Sequence, residues 1–369
     1  MGIEPLVLKM LRETSGYSIE DVAKKLEIGV EKIENVEEGK SSFNLKQIKI
    51  LANFYQRPLV AFFEDSAPKL PVIPDHRINR NKKITPQVFL AERRAYYLSK
   101  KIAELSNKKS EIPSFPENIK ANELAQTFKE SLKLSNLKFK KTEELLEYYK
   151  ELLEEKLLIS IIEYPFKADD VRAFCIYSDI SIITLNEQDR PEIKLFSLFH
   201  EVCHLLRKTS GICSIFIEGK GQQKIEYYCN DFSAEFLVPA SNLKRDVGSS
   251  RYFNISKLSK NYNISKQVIM LRLLNLGYVG LDDYNKFKEK FIKEESVKNE
   301  KIKERREKAK KLGKKLGGKR DWDKVYLNRV GKLTVKEVRN AYRKEAISFS
   351  EVTDILDVKS KYIEKFVGQ

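Results

Sequence analysis

Between Ile193 and Lys208 the chain sets two histidines and a glutamate into an otherwise apolar run, LFSLFHEVCHLL. Leu195, Phe196, Leu198, Phe199, Val202, Leu205 and Leu206 cover most of a helix surface, so that helix must lie inside the fold. His200 and His204 stand four apart and share one face, about 6 Å apart along the axis. Buried without partners, two imidazoles and a carboxylate cost on the order of several kcal/mol. The spacing His200-Glu201-Val202-Cys203-His204 offers a solution. Two imidazoles can reach one Zn²⁺ ion, with Glu201 beside the water that the metal carries. The chain has only three histidines, so a chance match is on the order of one in several hundred. The metal reading therefore stands over satisfied core histidines.

A zinc ion that works as a catalyst takes three protein ligands and keeps one position for water. His76, the remaining histidine, lies in a Pro-rich stretch. The third ligand falls to Glu226 on the next expected helix, Ile225–Leu237, which Pro239 closes. Glu226 and Asn230 share a face, so Glu226 can bind the metal while Asn230 holds a ligand histidine in orientation. Glu235 competes as a ligand, but from a different face.

Four cysteines without CxxC spacing argue against a disulfide framework or a zinc ribbon. No window approaches ~18 uninterrupted apolar residues, which predicts no membrane span. The opening Met1-Gly2-Ile3-Glu4 lacks the pattern of a signal peptide, and the expected address is the cytoplasm. The net charge of +16 is uneven. Residues 1–65 sum to roughly −2, whereas Lys286–Arg320 alone carries about +10.

The expected fold class is α+β and mostly α. It comprises a helix-turn-helix bundle over residues 1–65, a Pro-rich linker over 66–84 and a zincin-like domain with a small β-sheet over 85–284. A basic charged tract over 285–320 and a small helical module over 321–369 complete the chain. Capping boxes at Ser18…Asp21 and Asn44…Gln47 start two of the short amino-terminal helices. Val30–Glu38 carries Val30, Ile33 and Val36 at helical spacing and stops at Gly39. A long, charged helical region is expected from about Thr85 to Leu158. Leu158–Tyr164 and Ala173–Leu185 read as β-strands, and Leu258–Leu276 as a pair of helices.

The string "LFSLFHEVCHLL" followed by "IEYYCNDFSAEFLVP" resembles the ImmA/IrrE group of metallopeptidases. There a helix with HExxH precedes one of the form E-x-x-A-N, ending in Pro; Cys229 stands here where Ala is usual. Asp75-His76-Arg77 is similar to the family's entry motif, Ile182–Asn186 to the strand before the active helix, and "SKQVIMLRLLNLGYV" to the segment after the core. Residues 1–65 resemble an Xre-type module. The resemblance implies zinc held by His200, His204 and Glu226, with Glu201 as general base. It also implies cleavage of a specific regulatory protein, a helix-turn-helix repressor encoded nearby. Tyr227 and Tyr228 are nearby candidates to stabilise the oxyanion, and the strand around Ser181–Leu185 is a candidate to bind extended substrate. Arg12 and Glu37 match a structural pair of the Xre-type fold.

DNA remains an open partner. Val30, Lys32 and Asn35 are the candidates at the start of the reading helix. Glu31, Glu34, Glu37 and Glu38 repel phosphates, so DNA reading and protein docking both stay open. A non-proteolytic regulator or interaction protein with a sensory or structural metal site is the alternative function. The sequence leaves the oligomeric state open.

Overall fold

The computed structural model describes residues 3–64, 85–134, 139–166, 171–208, 211–213, 223–248, 254–311 and 321–368. The expected linker at 66–84, with His76 and the Asp75-His76-Arg77 motif, lies outside the described residues.

At the amino end, α1 (Pro5–Glu13), α2 (Ile19–Leu26), α3 (Val30–Glu37) and α4 (Leu45–Tyr55) close a bundle with a 3₁₀ turn at Leu59–Phe63. Both expected capping boxes form. Ser18 and Asp21 exchange side-chain and backbone hydrogen bonds, as do Asn44 and Gln47. Each such cap contributes ~1 kcal/mol to a helix too short to stand alone. Leu11, Val22, Ile33, Val36, Ile48, Leu51 and Phe62 form the core. The Arg12 guanidinium bonds Glu37 twice, at 2.6 and 2.9 Å, and ties α1 to the end of α3.

The expected helical region before the sheet divides into α5 (Pro86–Ser106), α6 (Ala121–Ser131) and α7 (Thr142–Leu157). Pro113 and Pro116 lie in the first break, where a continuing helix would lose backbone donors. Four strands follow: β1 (Ser160–Tyr164), β2 (Ala173–Ile176), β3 (Ile182–Asn186) and, after the next helix, β4 (Gly211–Cys213). The sheet order is β1-β3-β2-β4, with β1 parallel to β3 and β2 antiparallel to both neighbours. The stretch expected as strand over Ala173–Leu185 is thus a hairpin. Ser181–Leu185 lies in its second arm, whose two edges are both paired, so no backbone edge remains there for an added substrate strand.

Successive strand residues face opposite layers. Ile161, Ala173, Cys175, Ile183 and Leu185 enter one core, and Ile162, Phe174, Ile176 and Ile182 the other. The first layer holds α6, α7, α8 (Pro191–Leu206), α9 (Gln223–Leu237), α10 (Ala240–Val247), α11 (Ile255–Tyr262) and α12 (Lys266–Asn275). Helix α13 (Leu281–Lys311) takes in most of the basic tract, and the rest of that tract, 312–320, lies outside the described residues.

The carboxyl-terminal helices α14 (Trp322–Val330), α15 (Lys332–Arg343), α16 (Phe349–Leu356) and α17 (Ser360–Val367) return to the sheet. Their Val330, Val335, Val338, Ile355 and Phe366 share the second core with Val88, Ala95 and Leu98 of α5. Gly331 turns between α14 and α15 at φ +88°, where a Cβ would press on Ile162 Cγ2 at 3.1 Å and the Ile161 carbonyl at 3.2 Å. Glycine permits both the turn and the approach to β1.

Helix α5 joins the parts. Phe89 packs on Gly16 so closely that a Cβ there would fall 2.4 Å from the ring, and Arg93 donates to the Tyr55 carbonyl at 2.9 Å. Arg94 donates to the Ile355 and Leu356 carbonyls at the end of α16, where a helix leaves acceptors open. The whole is an α+β fold dominated by helices. Among the described residues no helix is long and apolar enough to cross a membrane.

Candidate metal centre

Helix α8 begins with Pro191 in its first turn, a position suited to proline's fixed φ. From Leu195 to Leu206 every residue is buried, as an all-round apolar helix requires. Helix α9 packs along it. The Phe199 and Phe236 rings stack at 3.9 Å between centroids, and Tyr149 meets Phe199 edge-on at 4.8 Å. This packing fixes the spacing of the two helices, so the polar residues of α9 face the histidines of α8.

His200 Nε2 lies 3.1 Å from Glu226 Oε2, His204 Nε2 lies 3.4 Å from Glu226 Oε1, and the two Nε2 atoms are 3.3 Å apart. Among the described residues, these three side chains form a group whose ligand atoms all lie within 4.8 Å of one another. On the far side of the His200 ring, Nδ1 stands 3.0 Å from Asn230 Oδ1. There the ring N–H donates to the amide oxygen, which leaves the Nε2 lone pair for a metal. Glu226 and Asn230, one helical turn apart, thus both face His200.

Glu201 is buried to 1% exposure. Its Oε2 has no hydrogen-bond partner, while the Cys175 thiol of β2 hydrogen-bonds the same carboxylate. Burial raises the Glu201 pKa, and the neighbouring histidines partly offset that. Burial also pushes Glu226 up, but hydrogen bonds from both histidines outweigh it and hold the carboxylate below its usual range. For His200, burial is opposed by Glu226, Glu201 and Asn230, and the net direction is upward.

The donor set fits a divalent ion. Nitrogen and oxygen ligands from two helices converge, and a buried carboxylate oxygen beside them has no partner. Three protein donors are the number a zinc site with an open position uses.

Other expected residues go elsewhere. The Glu235 carboxylate pairs with Arg272 of α12 and accepts from the Ala240 N–H at 3.2 Å, so it anchors the end of α9. The Tyr228 hydroxyl donates to the Ile119 carbonyl at 2.9 Å, and Tyr227 is exposed. In the amino-terminal bundle, Val30 and Lys32 are exposed at the start of α3, and Asn35 is half-buried. The sequence offered no signal for Cys175. It enters through strand pairing rather than through any motif.

Residues 154–274 match the family model described as the IrrE N-terminal-like domain, a peptidase family, and residues 6–61 match that of a helix-turn-helix domain. The two matches together, a helix-turn-helix module followed by an IrrE-like domain, fit the ImmA/IrrE architecture. The IrrE-like match spans β1 through α12 and contains His200, Glu201, His204, Glu226 and Asn230. The helix-turn-helix match runs from α1 into the 3₁₀ turn. No curated protein matches the chain. A solved structure of a Mycobacterium tuberculosis transcriptional regulator is similar at 13% identity, over 50% of this chain and 52% of its own, with a TM-score of 0.31. The chain therefore spans about half the length of that regulator, and a score so low carries no argument about fold or function.

Proposed function

We propose that the chain is a zinc-dependent endopeptidase that cuts one or a few regulatory proteins, its substrate being a helix-turn-helix repressor encoded nearby. The observation that carries this reading is the convergence of His200, His204 and Glu226 beside the partnerless Oε2 of Glu201. A zinc ion held by the three ligands would supply Lewis acidity, lowering the pKa of a water and polarising the scissile carbonyl. Glu201 is the general base and moves the proton at Oε2. Asn230 keeps His200 in the tautomer that presents Nε2 to the metal.

In this reading residues 85–284 form the peptidase unit, acting in the cytoplasm. Residues 1–65 are the module that selects where it works, by DNA or by protein contact. Residues 321–369 are a helical addition to the sheet. If the module reads DNA, Val30, Lys32 and Asn35 make the contacts. A gel-shift with the full chain and a Lys32→Ala/Asn35→Ala variant tests that assignment, and equal shifts would refute it.

The test of the main reading is to incubate zinc-loaded protein with the repressor, or with cell lysate, and sequence the new termini by mass spectrometry. A few defined cuts, lost in Glu201→Gln while metal is retained, are expected. Cleavage that persists in Glu201→Gln would remove the assigned base. No cleavage by the wild type would favour a regulator whose metal site is sensory or structural.

A further inference from the structure

We infer that Cys175 is a positioning residue for Glu201: its thiol donates to the carboxylate and leaves Oε2 as the oxygen that exchanges the proton. The inference rests on the reading of Glu201 as the base. Three observations meet at this contact. Cys175 lies on β2 and enters the core shared with α8, at 1% exposure. Its thiol hydrogen-bonds the Glu201 carboxylate. The remaining oxygen of that carboxylate, Oε2, is buried and has no hydrogen-bond partner.

The backbone holds the thiol in place. Cys175 pairs with Ile183 on one side and Gly211 on the other, so its Cα sits in the middle of the sheet with neighbours on both edges. A strand held on both sides cannot follow a side chain that swings. Glu201 is held equally, on a helix buried from Leu195 to Leu206. The contact is therefore between two rigid elements, the arrangement that keeps a reacting group within a few tenths of an ångström of its productive place.

The chemistry suits the task. A carboxylate accepts at either oxygen, so an unheld Glu201 can rotate about its last bond and present either one. One donor on one oxygen removes that freedom. A thiol is a weak donor, so it orients the carboxylate while taking little of its proton affinity. An arginine or lysine in this place would orient it as well, yet would neutralise the base. A cysteine that merely fills space would predict that any small apolar residue serves there. The positioning role predicts instead that a hydroxyl serves and a methyl does not.

The first test is the infrared S–H stretch of the zinc-loaded full chain. Subtracting the Cys175→Ala spectrum from the wild type should reveal one band at lower frequency than those of the other buried thiols, Cys203 and Cys229. That band should move up in Glu201→Gln, because a neutral amide accepts more weakly than a carboxylate. A Cys175 band at the frequency of the other thiols, and unmoved in Glu201→Gln, overturns the inference. The second test uses the same proteins on the helix-turn-helix repressor. Cys175→Ala should lower kcat about tenfold with KM and zinc content unchanged, and Cys175→Ser should stay within about threefold of wild type. Wild-type rates in Cys175→Ala, or equal losses in Ala and Ser, also overturn it. If the wild type cuts nothing, the peptidase reading fails, and the infrared band still decides whether Cys175 orients Glu201.

Discussion

Helix α8 contributes to two buried polar clusters, and they are built on opposite principles. Near its start, Lys194 donates to Glu163 Oε2 of β1 at 2.6 Å. Glu163 Oε1 accepts from Lys150 and from Asn328, each at 3.3 Å, and Lys150 also reaches Glu147 at 3.2 Å. Lys332 of α15 joins them, pairing with Glu147 at 3.2 Å and Glu151 at 2.5 Å, so three ammonium groups meet three carboxylates and the charges cancel within the chain. Further along the same helix, Glu201 and Glu226 meet two imidazoles that must be neutral to bind metal. With both imidazoles neutral and both carboxylates ionised, that sum is −2, and a divalent ion would close it. A buried cluster that balances its own charges needs no ion, whereas one left at −2 is suited to the dication proposed above.

The largest expected effect is on the open cluster. His200→Ala/His204→Ala should reduce zinc content to background and abolish cleavage, as read by elemental analysis and repressor digestion. Glu201→Gln should abolish cleavage with zinc intact. Zinc retained equally by the double variant and the wild type would erase the distinction between the clusters.

The closed cluster should fail through stability instead. Glu163→Ala strands Lys194, leaves Lys150 with Glu147 and Asn328 alone, and should cost about 3–5 kcal/mol in denaturant unfolding. Zinc per folded molecule should not change. A loss below ~1 kcal/mol would show that the cluster is not the structural counterpart argued above.

Another buried acid, Glu92 on α5, belongs to neither cluster, and burial pushes its pKa up to about 8. Its folded pKa lies above its unfolded value, so the carboxyl prefers the fold while protonated. Stability should therefore fall as pH rises from about 4.5 to about 8, on the order of 2–4 kcal/mol. Unfolding curves at pH 5 and pH 9 for wild type and Glu92→Gln check this. The variant should lose that part of the slope, and parallel slopes would overturn the assignment.

The two asparagines give the finest comparison. Asn230→Ala should weaken zinc binding about 10- to 100-fold by freeing the His200 ring. Asn328→Ala should leave zinc alone and cost ~1 kcal/mol of stability. Competition with a chromogenic chelator and thermal unfolding read the two effects, and an exchange of phenotypes would invert the comparison.

Much of this was legible in the sequence wherever the determining contacts are local. The four-residue spacing of His200 and His204, the four-residue spacing of Glu226 and Asn230, and the capping boxes at Ser18 and Asn44 all depend on helix periodicity. That periodicity is the same in any fold. The bounds of α8 and α9 followed from proline positions and apolar pattern to within a few residues.

Through-space pairing was not legible, because apolar pattern says that a residue is buried without saying against what. Glu226 and Glu235 lie on one helix, yet one faces the histidines and the other Arg272. The packing of α12 and of Phe236 on Phe199 decides which is which. Ser181–Leu185 became an interior arm because β1 and β2 occupy its two edges. Helices α14–α17 cover the sheet because Gly331 lets them approach β1. The sequence by itself determined the helices, their caps and the HExxH pair, since each is set within a turn or two of chain. The partners of Glu226, the thiol beside Glu201 and the closure of the Lys150–Glu163 cluster were decided only when distant segments packed, where burial penalises every polar group left without a match.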